Sequence, residues 1–203
     1  MLNVKKTFQR AHGSINVKIN NNEINRFYQS GSAKIFYPKS SQKFRELVLV
    51  NTAGGITSGD NFVYNFDIVN KSKIFLTTQT AERAYKGFDD NAKIKISLTV
   101  DETSNLFWIP QELILFNNCN LNRNIEVNLG NNSNFVLAET AIFGRTAMGE
   151  YLEKGFFNDN WRINVNKNLI HAEALNLSGN IKETLCNIAS VKDGVAICNF
   201  FIY

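Results

Sequence analysis

The sequence predicts a mainly β protein with one or two short helices. Three observations carry this. Short runs alternate apolar and polar residues along most of the 203-residue chain, which is the period of a strand with one buried face. Clusters of Asn, Gly, Asp and Ser interrupt those runs at short intervals, as turns do. One segment, 134–147, reads as a helix, with Leu137, Ala138, Ala141 and Ile142 at helical spacing and Gly144 limiting it.

The strand candidates follow in chain order. Residues 15–19 precede the turn cluster Asn20-Asn21-Asn22, and 31–37 and 44–50 come next. In 61–69, Phe62, Tyr64, Phe66 and Ile68 alternate with Val63, Asn65, Asp67 and Val69. Lys71 and Lys73 mark a turn before Ile74-Phe75-Leu76, which opens 73–79. In 93–100, Lys93 and Lys95 alternate with Ile94, Ile96, Leu98 and Val100, giving a solvated face and a buried one. Candidates 106–110 and 125–129 precede the helix segment, and 161–165, 169–177 and 195–203 follow it. Turn clusters also fall at 89–91, 117–124, 130–134 and 158–160. No repeat, linker or low-complexity tract stands out.

Composition narrows the function classes. Hydrophobic residues make up 44% and charged residues 20%, a globular balance, and the length suits a single domain spanning 1–203. The net charge of +4 is spread out, without a basic patch interleaved with aromatics, so nucleic acid is not an expected partner. Three cysteines, Cys119, Cys186 and Cys198, form no C-x-x-C pair, which argues against a disulfide framework or a structural zinc site. Residues 1–10 are polar and carry no signal-peptide apolar region, and no run approaches the ~18 apolar residues of a membrane span. A reducing cytoplasm and no membrane are the expectation.

The segment Asn51-Thr52-Ala53-Gly54-Gly55-Ile56-Thr57-Ser58-Gly59-Asp60 is the most informative stretch. Its glycines reach positive φ and let another backbone come close. It is not a phosphate cradle. That chemistry needs Gly-Lys-Ser/Thr opening a helix, whereas this loop ends in Gly59-Asp60 and leads into a strand. Only His12 and His171 are present, and no G-x-S-x-G elbow occurs. The carboxylates Asp60, Glu82, Glu112, Glu139 and Glu150 lie in or beside apolar or glycine-rich stretches, where burial demands partners. Arg83 and Arg145 are the candidate partners, and a set of structural ion pairs is the plain alternative.

Four segments together carry a resemblance. They are the glycine-rich loop; Leu76-Thr77-Thr78-Gln79-Thr80-Ala81-Glu82-Arg83-Ala84-Tyr85; Trp108-Ile109-Pro110-Gln111-Glu112-Leu113-Ile114-Leu115-Phe116; and Phe143-Gly144-Arg145-Thr146-Ala147-Met148-Gly149-Glu150. In this order and spacing the chain resembles the UreD (also UreH) family of urease accessory proteins. The motif positions carried over are Gly54, Gly55, Gly59, Arg83, Tyr85, Gln111, Gly144, Arg145 and Gly149. The resemblance implies a β-helix-like stack of short strands and a non-enzymatic nickel chaperone. Its implied partners are apo-urease, a UreF-type accessory protein and a UreG-type GTPase. It implies no tightly bound cofactor, transient Ni2+, and GTP used only by the GTPase partner. Family members usually continue past the point where this chain stops, so a copy truncated at the C-terminus is expected.

A metal in transit must leave again, and carboxylates with water release a borderline ion more readily than soft ligands do. The expectation is that Asp60, Glu82, Glu112 and Glu150 line or approach an internal polar path, with Arg83 and Arg145 fixing their geometry. Two rivals stand beside it. One is a β-rich carboxylate hydrolase using Glu112 and Asp60 as acid and base. The other is an interaction scaffold with no role in metal passage.

Overall fold

A computed structural model describes residues 9–38, 43–88 and 90–203. The reading of residues 1–10 as a polar leader-free start falls mostly outside them, and so does Asp89 of the 89–91 turn cluster. Strands dominate, as the alternating runs required. In chain order they are β1 (His12–Asn20), β2 (Glu23–Gly31), β3 (Ala33–Phe36), β4 (Arg45–Asn51), β5 (Asn61–Val69), β6 (Lys73–Thr78), β7 (Glu82–Ala84) and β8 (Ala92–Val100). Then come β9 (Asn105–Trp108), β10 (Leu113–Leu115), β11 (Asn120–Leu129), β12 (Asn134–Phe143), β13 (Lys154–Val165), β14 (Asn168–Asn180) and β15 (Ala196–Ile202). The helix α1 (Ile181–Cys186) is one turn and a half long. Among the described residues, no helix is long and apolar enough to cross a membrane.

The strands form two facing sheets. The first runs β14-β13-β11-β8-β5-β1-β2, and the second β3-β4-β6-β9-β12-β10-β7 with β15 added beside β12. From β4 to β13 the chain visits the two sheets alternately, with β6–β7 and β9–β10 each one interrupted pass through the second sheet, so β5, β8, β11 and β13 stack in parallel with one another. Each coil takes roughly 30 residues, the scale of a solenoid repeat, although the sequence shows no obvious repeat. Inward positions fill the space between the sheets, with Phe62, Phe66, Trp108, Phe135, Phe157 and Trp161 fully buried.

The two corners of each coil differ. At the tight corner, residues 70–72, 101–104 and 130–133 turn the chain within a few residues. Ser72, Ser104 and Ser133 are buried there, and the Ser72 N–H donates to Ser104 Oγ at 3.2 Å. Gly130 is required because a Cβ would sit 2.4 Å from the Glu102 nitrogen of the preceding corner. The wide corner holds longer loops, 52–60, 79–91, 109–119 and 144–153, within which the short β7 and β10 continue the stack. All four motif segments reach this corner.

The helix expected at 134–147 is instead β12 and the loop after it. Its burial alternates strictly: Phe135, Leu137, Ala141 and Phe143 face inward with Glu139 among them. The Leu and Ala residues favour a helix locally, but β9, β10 and β15 pair with this segment from both sides and that pairing prevails. Two of the expected turn clusters also fall in strands, 117–124 in part within β11 and 158–160 wholly within β13. Asn122 and Asn158 face outward on β11 and β13, and Asn158 donates to Asn122 Oδ1 at 3.0 Å, a side-chain ladder rather than a turn. The strand β2 has no sequence signal because most of its residues on both faces are exposed. True Asn turns do occur. Asn21 and Asn22, and Asn166 and Lys167, have positive φ, the geometry of two-residue hairpin turns.

Replacing the fully buried Phe135 by Ala should cost about 3–5 kcal/mol. Replacing Phe200, which is 64% exposed, should change stability by no more than about 0.5 kcal/mol. Urea denaturation midpoints of the two variants check the inward register of β12 against the outward one of β15.

Candidate functional site

The glycine-rich loop is held by its own polar side chains. Asn51 Oδ1 accepts from the Ala53 N–H at 2.9 Å, and its amide donates to the Gly55 carbonyl and to both Glu82 oxygens. Asp60 is buried. One of its oxygens accepts from the Ala11 N–H and the other from the Thr57 N–H, both at 2.8 Å. Gly54, Gly55 and Gly59 all have positive φ. Gly55 must lack a side chain, since a Cβ there would lie 2.3 Å from the Tyr85 ring, which rests on the loop backbone.

From this contact the motifs stack coil upon coil. Tyr85 meets Phe116 edge-on with centroids 4.8 Å apart, and the Arg145 guanidinium lies 4.2 Å over the Phe116 ring. Arg145 donates from Nε to Glu150 Oε2 at 2.7 Å, and a second donation comes from Nη2. Glu150 Oε1 accepts from the Asn117 N–H at 2.9 Å. Burial acts to raise the Glu150 pKa, but the Asn117 N–H and Arg145 outweigh it and hold the carboxyl below the ordinary glutamate value. Gly149 caps the short 3-10 turn Thr146–Met148 in left-handed conformation.

The second sheet is interrupted between β6 and β7 and again between β9 and β10. Pro110 lies in one break and has no N–H for the ladder. In the other, Thr78 Oγ1 accepts from the Gln111 N–H and donates to the Thr80 carbonyl. Beneath the breaks lie two small cavities of about 40 and 50 Å³ that share Leu49, Tyr64, Thr78 and Glu82. Each has room for water or a small ion. Burial raises the Glu82 pKa above its ordinary value. Asn51, the Arg83 N–H and the Arg83 charge oppose that rise, and Asp60 adds to it. Burial and the Glu82 charge likewise raise Tyr64.

At the inner end of the larger cavity, charged side chains span the two sheets. Arg123 on β11 donates from Nε and Nη2 to Asp159 on β13, at 2.9 and 2.6 Å. Its Nη1 lies 2.5 Å from Glu139 Oε2 on β12. The Trp108 and Trp161 indoles donate to Glu139 and Asp159 respectively. The sequence reading singled out Glu139 but not Arg123 or Asp159. The signal was available: each is a lone charge at an inward position of an alternating apolar strand.

The four expected path carboxylates therefore occupy different places. Glu82 faces the cavities, and its N–H donates to the Glu112 carbonyl. The Glu112 side chain is exposed beside the sheet break. Asp60 and Glu150 fasten the wide-corner loops. Among the described residues, no group of three or more His, Cys, Asp or Glu side chains is placed to hold a metal. The proposed acid–base pair has Asp60 buried with both oxygens accepting backbone N–H groups, and Glu112 on the surface.

Fold and site thus define a two-sheet parallel β stack. Its motif loops share one corner, and its charges run into the core beneath a broken sheet. The sequence model of the UreD urease accessory protein family matches residues 9–203, and the chain belongs to that family. It is similar to the urease accessory protein UreD of Rhodopseudomonas palustris (strain HaA2), 39% identical over 170 residues that cover 84% of this chain and 61% of that protein. It is also similar to UreD of Chelativorans sp. (strain BNC1), 39% identical over 84% of this chain and 63% of the relative. For UreD of Mesorhizobium japonicum the identity is 35%, over 88% of this chain and 64% of the relative. The chain thus spans less than two thirds of the length of these relatives.

The motif glycines can be ranked. Gly149 is left-handed in open space, so Gly149→Ala should cost about 1–2 kcal/mol. Gly144 has the same strain, and an added Cβ would also lie 2.6 Å from the Glu150 carbonyl, so Gly144→Ala should cost clearly more. Equal urea midpoints for the two variants would contradict this placement of Gly144.

Proposed function

We propose that this chain acts in urease maturation. In this reading it is an accessory protein that joins apo-urease together with UreF-type and UreG-type partners, and nickel is its cargo. The observation that carries the reading is the family match over residues 9–203. GTP is hydrolysed by the GTPase partner, and this chain holds no resident cofactor. A cytoplasmic location fits its three free cysteines, of which Cys119 is buried with its thiol pushed up to about 12 by burial.

The ion's route in this proposal is the interrupted second sheet. Glu112 stands outside the break, Gln111 and Thr78 frame it, and Glu82 presents a carboxylate inside. Asp60, Arg145 and Glu150 are positioning residues that keep the corner loops in register, with Arg83 moderating the Glu82 charge. One carboxylate with hydroxyl and amide oxygens holds a borderline ion loosely, which suits hand-over.

The test is urease activation in a host that lacks its own UreD. The unmodified chain is expected to restore active, nickel-containing urease. Glu82→Gln keeps the shape and a contact with Asn51, so it should leave soluble yield unchanged while lowering activation roughly tenfold, the scale of a perturbed metal shell. Full activation by the variant would contradict passage beside Glu82 and leave the scaffold role without metal passage. Loss of soluble protein would show that Glu82 serves the fold.

A further inference from the structure

The core holds two carboxylates against one guanidinium, and they are not equivalent. Asp159 takes Arg123 through two aligned hydrogen bonds and a third from Trp161. Glu139 takes the Trp108 indole on Oε1. Its Oε2 is close to Arg123 Nη1 but has no aligned hydrogen-bond donor, and Glu139 is only 5% exposed. Glu139 and Arg123 line the larger interior cavity, and Asp159 does not.

The groups around Glu139 come from several neighbouring strands, while β10, which also pairs with β12, carries only Leu113, Ile114 and Leu115. Arg123 comes from β11, Asp159 from β13 and the Trp108 indole from β9. Glu82 from β7 and Tyr64 from β5 line the same cavity, and β15 places the uncharged Asn199 opposite Glu139 in register. With both carboxylates ionised, the Arg123 cluster would carry a net negative charge inside an apolar core, which is costly. A proton on Glu139 removes that charge.

We infer that Glu139 is a buried proton-binding site that stays protonated in the folded chain near neutral pH, with Arg123 and Asp159 as the true ion pair. Burial is the largest influence and raises the Glu139 pKa. Arg123 opposes it, Asp159 adds to it, and the net direction is upward. Release of this proton changes the charge lining the cavity by one unit, so pH sets the field that any ion beside Glu82 meets. The inference holds whatever passes through the cavity.

The sign follows from linkage. A folded pKa above the unfolded value means that the folded chain keeps a proton the unfolded chain has lost. That contribution to stability is fully present below the ordinary glutamate value and disappears as pH rises through the raised one. Glu139→Gln mimics the protonated form. Relative to it, the wild-type denaturation midpoint should fall as pH rises across that window.

The direct test is infrared spectroscopy at neutral pH. The wild-type minus E139Q difference should show the carbonyl stretch of a protonated carboxylic acid. A difference that shows only carboxylate bands overturns the inference. Should E139Q fail to fold, carbon-13 labelling of glutamate side chains in the Glu82→Gln variant decides the matter. One acid-form glutamate resonance at neutral pH supports the inference, and none overturns it.

Discussion

Every coil of this chain depends on the next one for its backbone hydrogen bonds. A strand such as β8 has no hairpin partner of its own and is satisfied only by β5 on one side and β11 on the other. The chain must therefore return to the same height after each circuit, and the corners make that possible. The serine-lined corner is short and uniform because successive turns touch, as Gly130 against Glu102 shows. The opposite corner absorbs the differences in length, which leaves it free to carry the motif loops.

That division of labour explains where polarity enters the interior. The second sheet is broken on the wide-corner side, where Pro110 cannot join the ladder and the Thr78 hydroxyl stands in for a backbone partner. Water-sized cavities follow directly from the breaks, and Glu82 lies within them. Deeper in, Arg123 ties β11 to β13 in one sheet and faces β12 of the other, so polar contacts cross a core that packing alone could have filled. Removing one partner of such a group typically costs about 3–5 kcal/mol, while replacing the whole set by apolar residues can be neutral. Its presence is thus not explained by stability alone.

Much of this was legible in the sequence, and the failures have physical causes. Alternation located β5 to the residue, because one of its faces is buried throughout. It failed for β2, where neither face is consistently covered, and for β7 and β10, each three residues long. It read β12 as a helix because Leu and Ala at helical spacing spoke louder than the inward Phe135 and Phe143. The motif residues were found without their contacts. That Gly55 underlies Tyr85, and that Arg145 lies on Phe116, depends on coil stacking that no single segment encodes. The Arg123–Asp159 pair lies 36 positions apart in sequence and became visible only once β11 and β13 were adjacent.

The central claim is that this β stack is a working urease accessory module. The most direct measurement is retention of the folded 203-residue chain by tagged apo-urease co-expressed with a UreF-type partner. The account predicts that the chain is retained in a complex with both proteins. A soluble, folded chain that is retained by neither would contradict it.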